Sequence, residues 1–547
     1  MRILGINAIF HDSAAALVVD GRTVAAAEEE RFSRRKHAKK AVPFSTWELP
    51  EQAINWCLAE AGLEAGDLDG VAYSYDPELV DPSSGGLDPT WEHLRTTYAR
   101  RAPQFLKTLL PGYSAEVFSF VRHHVAHAAS AGLAAPFDPG PSLGDCAVFV
   151  ADGRGEATSM LAGEYRDRKL DILAAQRLPH SLGLLYEDLT AHLGFVRSSD
   201  EYKVMALASY GKPKHALLFR DLVRVNGDGG FRTDPVDWEA LAPPRRPGEE
   251  FDDRHADLAC SVQLVLEEVL LDLCQWLHQR TGNDRLALAG GVALNCVANT
   301  RLLAETPFRQ VWAQPASGDS GTALGAALTL AAEAGDDIQP MTTAALGRGW
   351  SDEELKATLA TAKVPFSKPA DIAQAAAEII ADNGIVAWFQ GRSEYGPRAL
   401  GQRSLLAHPA RGENTERLND IKGREQFRPV APMVLVERAP EIFTRGPIPS
   451  PYMLFVHDVR PEWRERLTAV THVDGTARIQ TVDRADQPVL AAMLTAFDQL
   501  TGIPVVVNTS LNTAGRPMVD SPRDALELFG SAPIDALAIG SYLVRRP

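Results

Sequence analysis

The chain has 547 residues, 45 % of them hydrophobic and 23 % charged, with a formal net charge of −16. That length favours more than one core, and the composition is that of a globular protein, not a disordered one. The acidic balance counts against a nucleic-acid binder, which needs a basic face to neutralise phosphates. The densest basic run, Arg34-Arg35-Lys36 with Lys39-Lys40, reads as a solvated loop.

The first residues, Arg2-Ile3-Leu4-Gly5-Ile6-Asn7, read as a strand, without the basic and apolar regions of a signal peptide. No uncharged apolar run approaches bilayer-spanning length. Cys57, Cys146, Cys260, Cys274 and Cys296 are odd in number and form no Cys-x-x-Cys pair, as expected of reduced thiols. A cytoplasmic protein without membrane contacts is expected.

In chain order, residues 2–31 predict a strand, a polar turn at Phe10-His11-Asp12-Ser13, an apolar strand from Ala14 to Val19, a tight turn at Asp20-Gly21 and a third strand. Residues 146–178 follow the same plan, with the turn at Asp152-Gly153-Arg154-Gly155. Such a duplication suggests paired ribonuclease-H-like halves, as in the actin/sugar-kinase/Hsp70 superfamily; two unrelated hairpins are the alternative. A helix is predicted over 121–135, others around 182–194 and 255–280, and an Ala/Leu-rich one from Ala316-Ser317-Gly318-Asp319 to about Ala334. The strand Leu286–Ala289 runs into Gly290-Gly291.

Residues 335–352 lack periodicity and mark a boundary, giving domains 1–343 and 344–547. The second domain predicts a helix at 370–382, a strand from Ile385 to Phe389, a Gly/Arg-dense loop opening a helix, and strands near 430–436, 452–457 and 504–508. The fold class is α/β.

His123 and His127 stand four apart, on one face of the predicted helix, a spacing suited to one metal ion. Asp152 and Asp319 lie at element junctions, where short carboxylates can converge on a cleft. Two imidazoles and two carboxylates suit iron, manganese or zinc. A hairpin turn residue for Asp152 and a helix N-cap for Asp319 remain open alternatives. Gly290-Gly291 admits either close approach of an anion or helix packing. No Gly-x-x-x-x-Gly-Lys-Ser/Thr occurs. In the second domain Arg392, Arg398 and Arg403 share one loop, Lys422, Arg424 and Arg428 follow, Arg478 precedes Ile479-Gln480, and Asn508-Thr509-Ser510 ends an apolar strand. In so acidic a chain this clustering favours a phosphate site over surface salt bridges.

Phe10-His11-Asp12-Ser13-Ala14-Ala15, Glu28-Glu29-Glu30-Arg31-Phe32, His123-His124-Val125-Ala126-His127-Ala128, Glu201-Tyr202-Lys203-Val204-Met205, Gly290-Gly291-Val292-Ala293-Leu294-Asn295, Gly396-Pro397-Arg398-Ala399-Leu400-Gly401 and Val507-Asn508-Thr509-Ser510 occur in that order. Together they resemble the carbamoyltransferases of antibiotic tailoring and rhizobial nodulation. The resemblance implies a transfer domain like the threonylcarbamoyl-transferring enzymes of tRNA modification. It also implies a C-terminal α+β domain like their partner, threonylcarbamoyl-AMP synthase.

On that resemblance, carbamoyl phosphate and ATP, the latter with Mg²⁺, yield carbamoyl adenylate on Arg398, Lys422, Arg428, Arg478, Asn508 and Ser510. The adenylate then passes internally to the N-terminal domain. Fe²⁺ or another divalent metal would sit on His123, His127, Asp152 and Asp319, with Asp152, Gly153, Gly291 and Asn295 around the carbamoyl adenylate. His11 would be the general base and Lys36 would meet the acceptor alcohol. Apolar Ile9 and Phe10 before His11 point to an acceptor less polar than an aminoglycoside. The implied partners are small molecules, with a homodimer compatible and no nucleic acid. A kinase or ATPase of the same superfamily is the alternative, but it gives no role to the His pair or to the second domain.

Overall fold

A computed structural model describes residues 1–38, 49–80, 89–137 and 145–546. Lys39 and Lys40 of the basic run lie outside the described residues. The chain divides into two units, Met1–Thr343 and Ala344–Pro547.

The first unit holds strands β1 (Arg2–Asn7), β2 (Ala14–Val19), β3 (Arg22–Glu28), β4 (Gly70–Tyr73), β5 (Phe118–Phe120), β6 (Cys146–Ala151), β7 (Thr158–Arg166), β8 (Lys169–Arg177), a small hairpin β9 (Val223–Val225) and β10 (Phe231–Thr233), then β11 (Arg285–Ala289) and β12 (Gln310–Ala313). One sheet has the order β3-β2-β1-β4-β5, the other β12-β11-β6-β7-β8. Read from its far edge, the second repeats the first. In each, three antiparallel strands are followed by two that run parallel to the first strand. This is a duplicated ribonuclease-H-like architecture of the actin/sugar-kinase/Hsp70 kind, not two unrelated hairpins.

Burial explains the sequence pattern. β2 and β6 are covered on both faces and read as continuous apolar runs, whereas edge strand β8 alternates. The helix Ser320–Glu333 is Ala/Gly-rich because it is wedged between its neighbours. At Gly325 a Cβ would collide with the Ala126 carbonyl of the helix His123–Gly132. Only glycine permits that approach, which brings the start of the second helix, at Asp319, beside the two histidines.

The second unit adds β13 (Val386–Phe389), β14 (Arg403–Ala407), β15 (Ala431–Leu435), β16 (Phe443–Thr444), β17 (His457–Val459), β18 (Thr476–Ala477), β19 (Gln480–Val482), β20 (Val505–Ser510), β21 (Ala536–Ile539) and β22 (Tyr542–Arg545). Seven of these form a mixed sheet in the order β19-β15-β20-β14-β13-β21-β22, and β16-β17-β18 make a small second sheet. With helices Ile372–Ala381 and Pro488–Thr501 contributing to its core, this unit is α+β.

Two expectations need correction. The Gly/Arg-dense loop opens into β14 instead of a helix, and the strand expected from 452 begins only at His457. In the loop, the buried Glu394 carboxylate accepts N–H donors from Leu400 (2.7 Å), Gln402 (2.9 Å) and Arg403 (3.2 Å). Those bonds fold the chain back into β14 and take donors that a helix would use internally.

Candidate functional site

Two imidazoles and two carboxylates from three different parts of the first unit converge. One ligand atom from each of His123, His127, Asp152 and Asp319 lies within 4.8 Å of all the others. His123 Nε2 stands 3.6 Å from both Asp152 Oδ2 and Asp319 Oδ1; His127 Nε2 stands 4.0 Å and 3.6 Å from the same two atoms. These separations are too long for hydrogen bonds. They approach the edge of roughly 3.4 Å expected for tetrahedral ligands about 2.1 Å from one ion.

All four groups are buried, and His123 Nε2, both His127 ring nitrogens and both Asp319 carboxylate oxygens have no hydrogen-bond partner among the described residues. Buried polar atoms are ordinarily paired, so an orphaned set with this geometry fits a cation. Asp319 occupies the cap position of its helix, yet its side chain caps nothing. Asp152 is held by the Gly291 N–H at 2.9 Å.

The outer partners orient the ligands. His123 Nδ1–H donates to the Ser74 carbonyl at 3.2 Å, which turns Nε2 toward the carboxylates. Glu156 accepts the His123 backbone N–H at 2.7 Å and fixes the start of the helix. Sequence reasoning missed both Ser74 and Glu156. The one signal was that Glu156 directly follows the Asp-Gly-Arg-Gly turn. His124 faces Thr158 Oγ1 at 2.7 Å, and burial with nearby His123 holds it neutral. Burial alone would also discharge His123, but Asp152 and Asp319 outweigh it and hold that imidazole well above its ordinary value. Asp319, although burial pushes it up, is held at about 2, with His11 the leading cause.

His11 belongs to the same cleft: its Nε2 lies 3.6 Å from Asp319 Oδ2. On its other side Nδ1 is 2.9 Å from Asp12 Oδ2. Burial would raise the Asp12 carboxyl; His37 and then His11 more than offset this and hold it well below the usual range. Ile9 is buried in the apolar core of the first unit. Phe10 stands edge-on to His123 (5.3 Å) and Tyr75 (5.7 Å). Lys36 is half-buried in the short turn Lys36–Ala38.

The remaining residues expected around a nucleotide have structural partners. Gly153 offers its carbonyl to Ser181 Oγ at 2.7 Å, and the Gly291 N–H is occupied by Asp152. Gly290 has φ +88° and a Cβ there would strike the Ala151 carbonyl, so this residue must be glycine. Asn295 caps the helix Cys296–Glu305 through the Ala298 N–H (3.1 Å) and donates to Gln263 (2.9 Å).

In the second unit the structure sorts the arginines. Arg403 is fully buried; its guanidinium donates to the carbonyls of Gln390, Gly391, Gln402 and Arg348 and lies 3.7 Å over the Phe389 ring. Arg392 donates to Gly347 and Leu346. These two brace the loop, and neither is among the residues that the resemblance assigned to phosphate. Arg398 is half-buried on the same loop.

Lys422 meets Ser510 directly, donating to its hydroxyl at 2.9 Å and to Asn512 Oδ1 at 2.5 Å. Asn508 donates to the Ala399 carbonyl (3.0 Å), beside Arg398, and to Gln480 (2.7 Å), while its buried Oδ1 has no partner among the described residues. Arg478 is half-buried two residues before Gln480, and Arg428 pairs with Glu425 at 3.6 Å. Enclosure pulls nearby His472 down to about 4, with Asp474 opposing and Arg478 assisting.

Comparison with known proteins shows the family of the chain. The family model described as carbamoyltransferase N-terminus matches residues 2–119 and 114–328, and the one described as carbamoyltransferase C-terminus matches 377–546. Nodulation protein NolNO of Sinorhizobium fredii is 38 % identical, with 99 % of this chain and 80 % of that protein aligned. Nodulation protein NolO of Bradyrhizobium diazoefficiens is 38 % identical over 78 % of this chain and 79 % of that protein. Nodulation protein U of S. fredii is 33 % identical over 96 % of each. The chain belongs to the carbamoyltransferase family.

Proposed function

We propose that the chain is an ATP-dependent O-carbamoyltransferase acting on a hydroxyl of a small-molecule natural product. The observation that supports it most is the buried set of partnerless ligand atoms beside His11, in a chain of this family that also carries a separate basic cluster. In the proposed sequence, water releases carbamate and phosphate from carbamoyl phosphate in unit 344–547. The carbamate oxygen then attacks the α-phosphorus of ATP, which arrives with Mg²⁺, and pyrophosphate leaves. Arg398, Lys422, Arg428 and Arg478 neutralise phosphate oxygens there, with Asn508 and Ser510 supplying polar contacts.

Transfer belongs to unit 1–343. The acceptor hydroxyl attacks the carbamoyl carbon, His11 Nε2 takes its proton, and AMP departs. His123, His127, Asp152 and Asp319 would hold a divalent cation, Fe²⁺ first among candidates, and a metal bound there supplies Lewis-acid stabilisation of the developing charge. Gly153, Gly291 and Asn295 shape the backbone around the adenylate, Phe10 keeps the His123 ring in place, and Lys36 stands on the acceptor side. A superfamily kinase is disfavoured because it leaves the His pair and the second unit without work.

The test separates the two half-reactions. His11→Asn should still release pyrophosphate from ATP and carbamoyl phosphate while forming no carbamoylated acceptor, as read by mass spectrometry. Undiminished product would remove His11 from catalysis, and equal loss of both signals would remove the division of labour.

A further inference from the structure

His11 does not stand alone in its turn. Asp12 Oδ2 is 2.9 Å from His11 Nδ1, and Asp12 Oδ1 is 2.7 Å from His37 Nδ1. His37 Nε2 in turn lies 2.8 Å from Ser199 Oγ. One carboxylate therefore bridges two imidazoles, and a hydroxyl from a third segment ends the chain. An ionised carboxylate only accepts hydrogen bonds, so both Nδ1 atoms must carry the proton. That choice leaves His11 Nε2 as the lone-pair nitrogen and lets the Ser199 hydroxyl donate to His37 Nε2.

The backbone is arranged for this contact. Phe10 (φ 54°), Asp12 (φ 53°), His37 (φ 60°) and Ser198 (φ 53°) all lie in the left-handed region that non-glycine residues rarely occupy. Outliers gathered from three separate segments at one point indicate a geometry imposed by the surroundings. Buried Asn7 imposes part of it, its amide donating to the carbonyls of His11 (2.9 Å) and Asp12 (3.0 Å). The Asp12 N–H donates to the His37 carbonyl at 3.3 Å, tying the two turns together directly.

We infer that Asp12 and His37 are positioning residues for carbamoyl transfer: Asp12 fixes the tautomer and direction of the His11 ring, and His37, held by Ser199, fixes Asp12. The inference rests on His11 being the base. Asp12→Asn cannot accept from both imidazoles, because one side of its amide is a donor, so one ring must give up its tautomer.

The experiment is a double-mutant cycle on the full-length enzyme with carbamoyl phosphate, ATP and a carbamoylatable alcohol, reading kcat, the acceptor KM, pyrophosphate release and Tm. Asp12→Asn should lower kcat for transfer roughly 100- to 10 000-fold, with acceptor KM, pyrophosphate release and Tm close to wild type. In a His11→Asn background the same change should have no further effect. His37→Ala should lower kcat about 10-fold, and His37→Asn, whose amide can still donate to Asp12, should restore most of it.

A kcat within twofold of wild type for Asp12→Asn overturns the inference. So does a parallel fall of kcat, Tm and pyrophosphate release, or additive effects in the cycle. If His11→Asn itself leaves transfer intact, the base assignment fails instead, which is a separate result.

Discussion

The two basic or imidazole-rich regions of this chain are built on opposite principles. In unit 1–343 four ionisable groups are buried together, three of them (His123, His127 and Asp319) with ligand atoms that have no partner among the described residues, and close helix packing at Gly325 brings Asp319 to the histidines. In unit 344–547 much of the conspicuous positive charge is already spoken for. Arg392 and Arg403 donate to backbone carbonyls. The contrast teaches that density of charged residues in a sequence is a weaker guide to ligand binding than what surrounds them. An unsatisfied buried group implies a missing partner, whereas a satisfied one implies a scaffold.

The largest expected effect comes from the first region. Asp319→Asn should reduce carbamoylated product about 1000-fold or more, while pyrophosphate release continues. Next comes Lys422→Ala, which should lower pyrophosphate release about 100-fold. Product formation from chemically supplied carbamoyl adenylate should survive in that variant. If each change silences both signals, the two regions do not divide the chemistry.

Gly325→Ala tests the packing that assembles the first region. Its methyl group meets backbone, which cannot swing away like a flexible side chain, so the expected loss is about 1–3 kcal/mol of stability together with bound metal. Unchanged Tm and metal content would contradict the close approach. Arg403→Lys sharpens the opposite case, since lysine cannot reproduce the guanidinium's carbonyl contacts. About 1–3 kcal/mol of stability should go, with both half-reactions falling only as far as folded protein is lost. A selective loss of pyrophosphate release would make Arg403 a phosphate ligand after all.

The smallest effect is a pH dependence. Burial pushes the Glu29 carboxyl up from 4.5 to about 7 despite hydrogen bonds from the Ala53 N–H and Gln52. The folded chain thus holds a proton that the unfolded chain has released over that interval. The stability this contributes is present below pH 4.5 and is lost as pH rises through about 7. Glu29→Gln should therefore gain Tm over wild type progressively from pH 5 to pH 8. Parallel Tm curves would place the Glu29 carboxyl near its ordinary value.

How much was legible in the sequence varied with the range of the interactions. The duplicated strand plan showed because β1–β3 and β6–β8 are local hairpins whose apolar runs and Asp-Gly turns are contiguous. His123 and His127 were visible as a helical spacing, and Asp152 and Asp319 as residues at junctions. What spacing could not settle was whether Asp319 merely caps its helix, because that depends on a contact with residues nearly 200 positions away. Ser74 acts through its carbonyl, which any residue type could supply, so no sequence signal existed for it. The loop after Gly391 was misjudged as leading to a helix because one buried carboxylate, Glu394, claims three backbone donors. Arg398 and Arg403 look equivalent on paper, and only burial distinguishes them.

The most direct measurement is the metal content of the purified protein. Elemental analysis of wild type and Asp319→Asn, both loaded anaerobically with Fe²⁺ and then desalted, tests whether the orphaned ligand set is a cation site. About one tightly held divalent ion per wild-type chain and almost none in the variant is the predicted result. A wild-type chain that retains no metal, or a variant that retains as much, would contradict it.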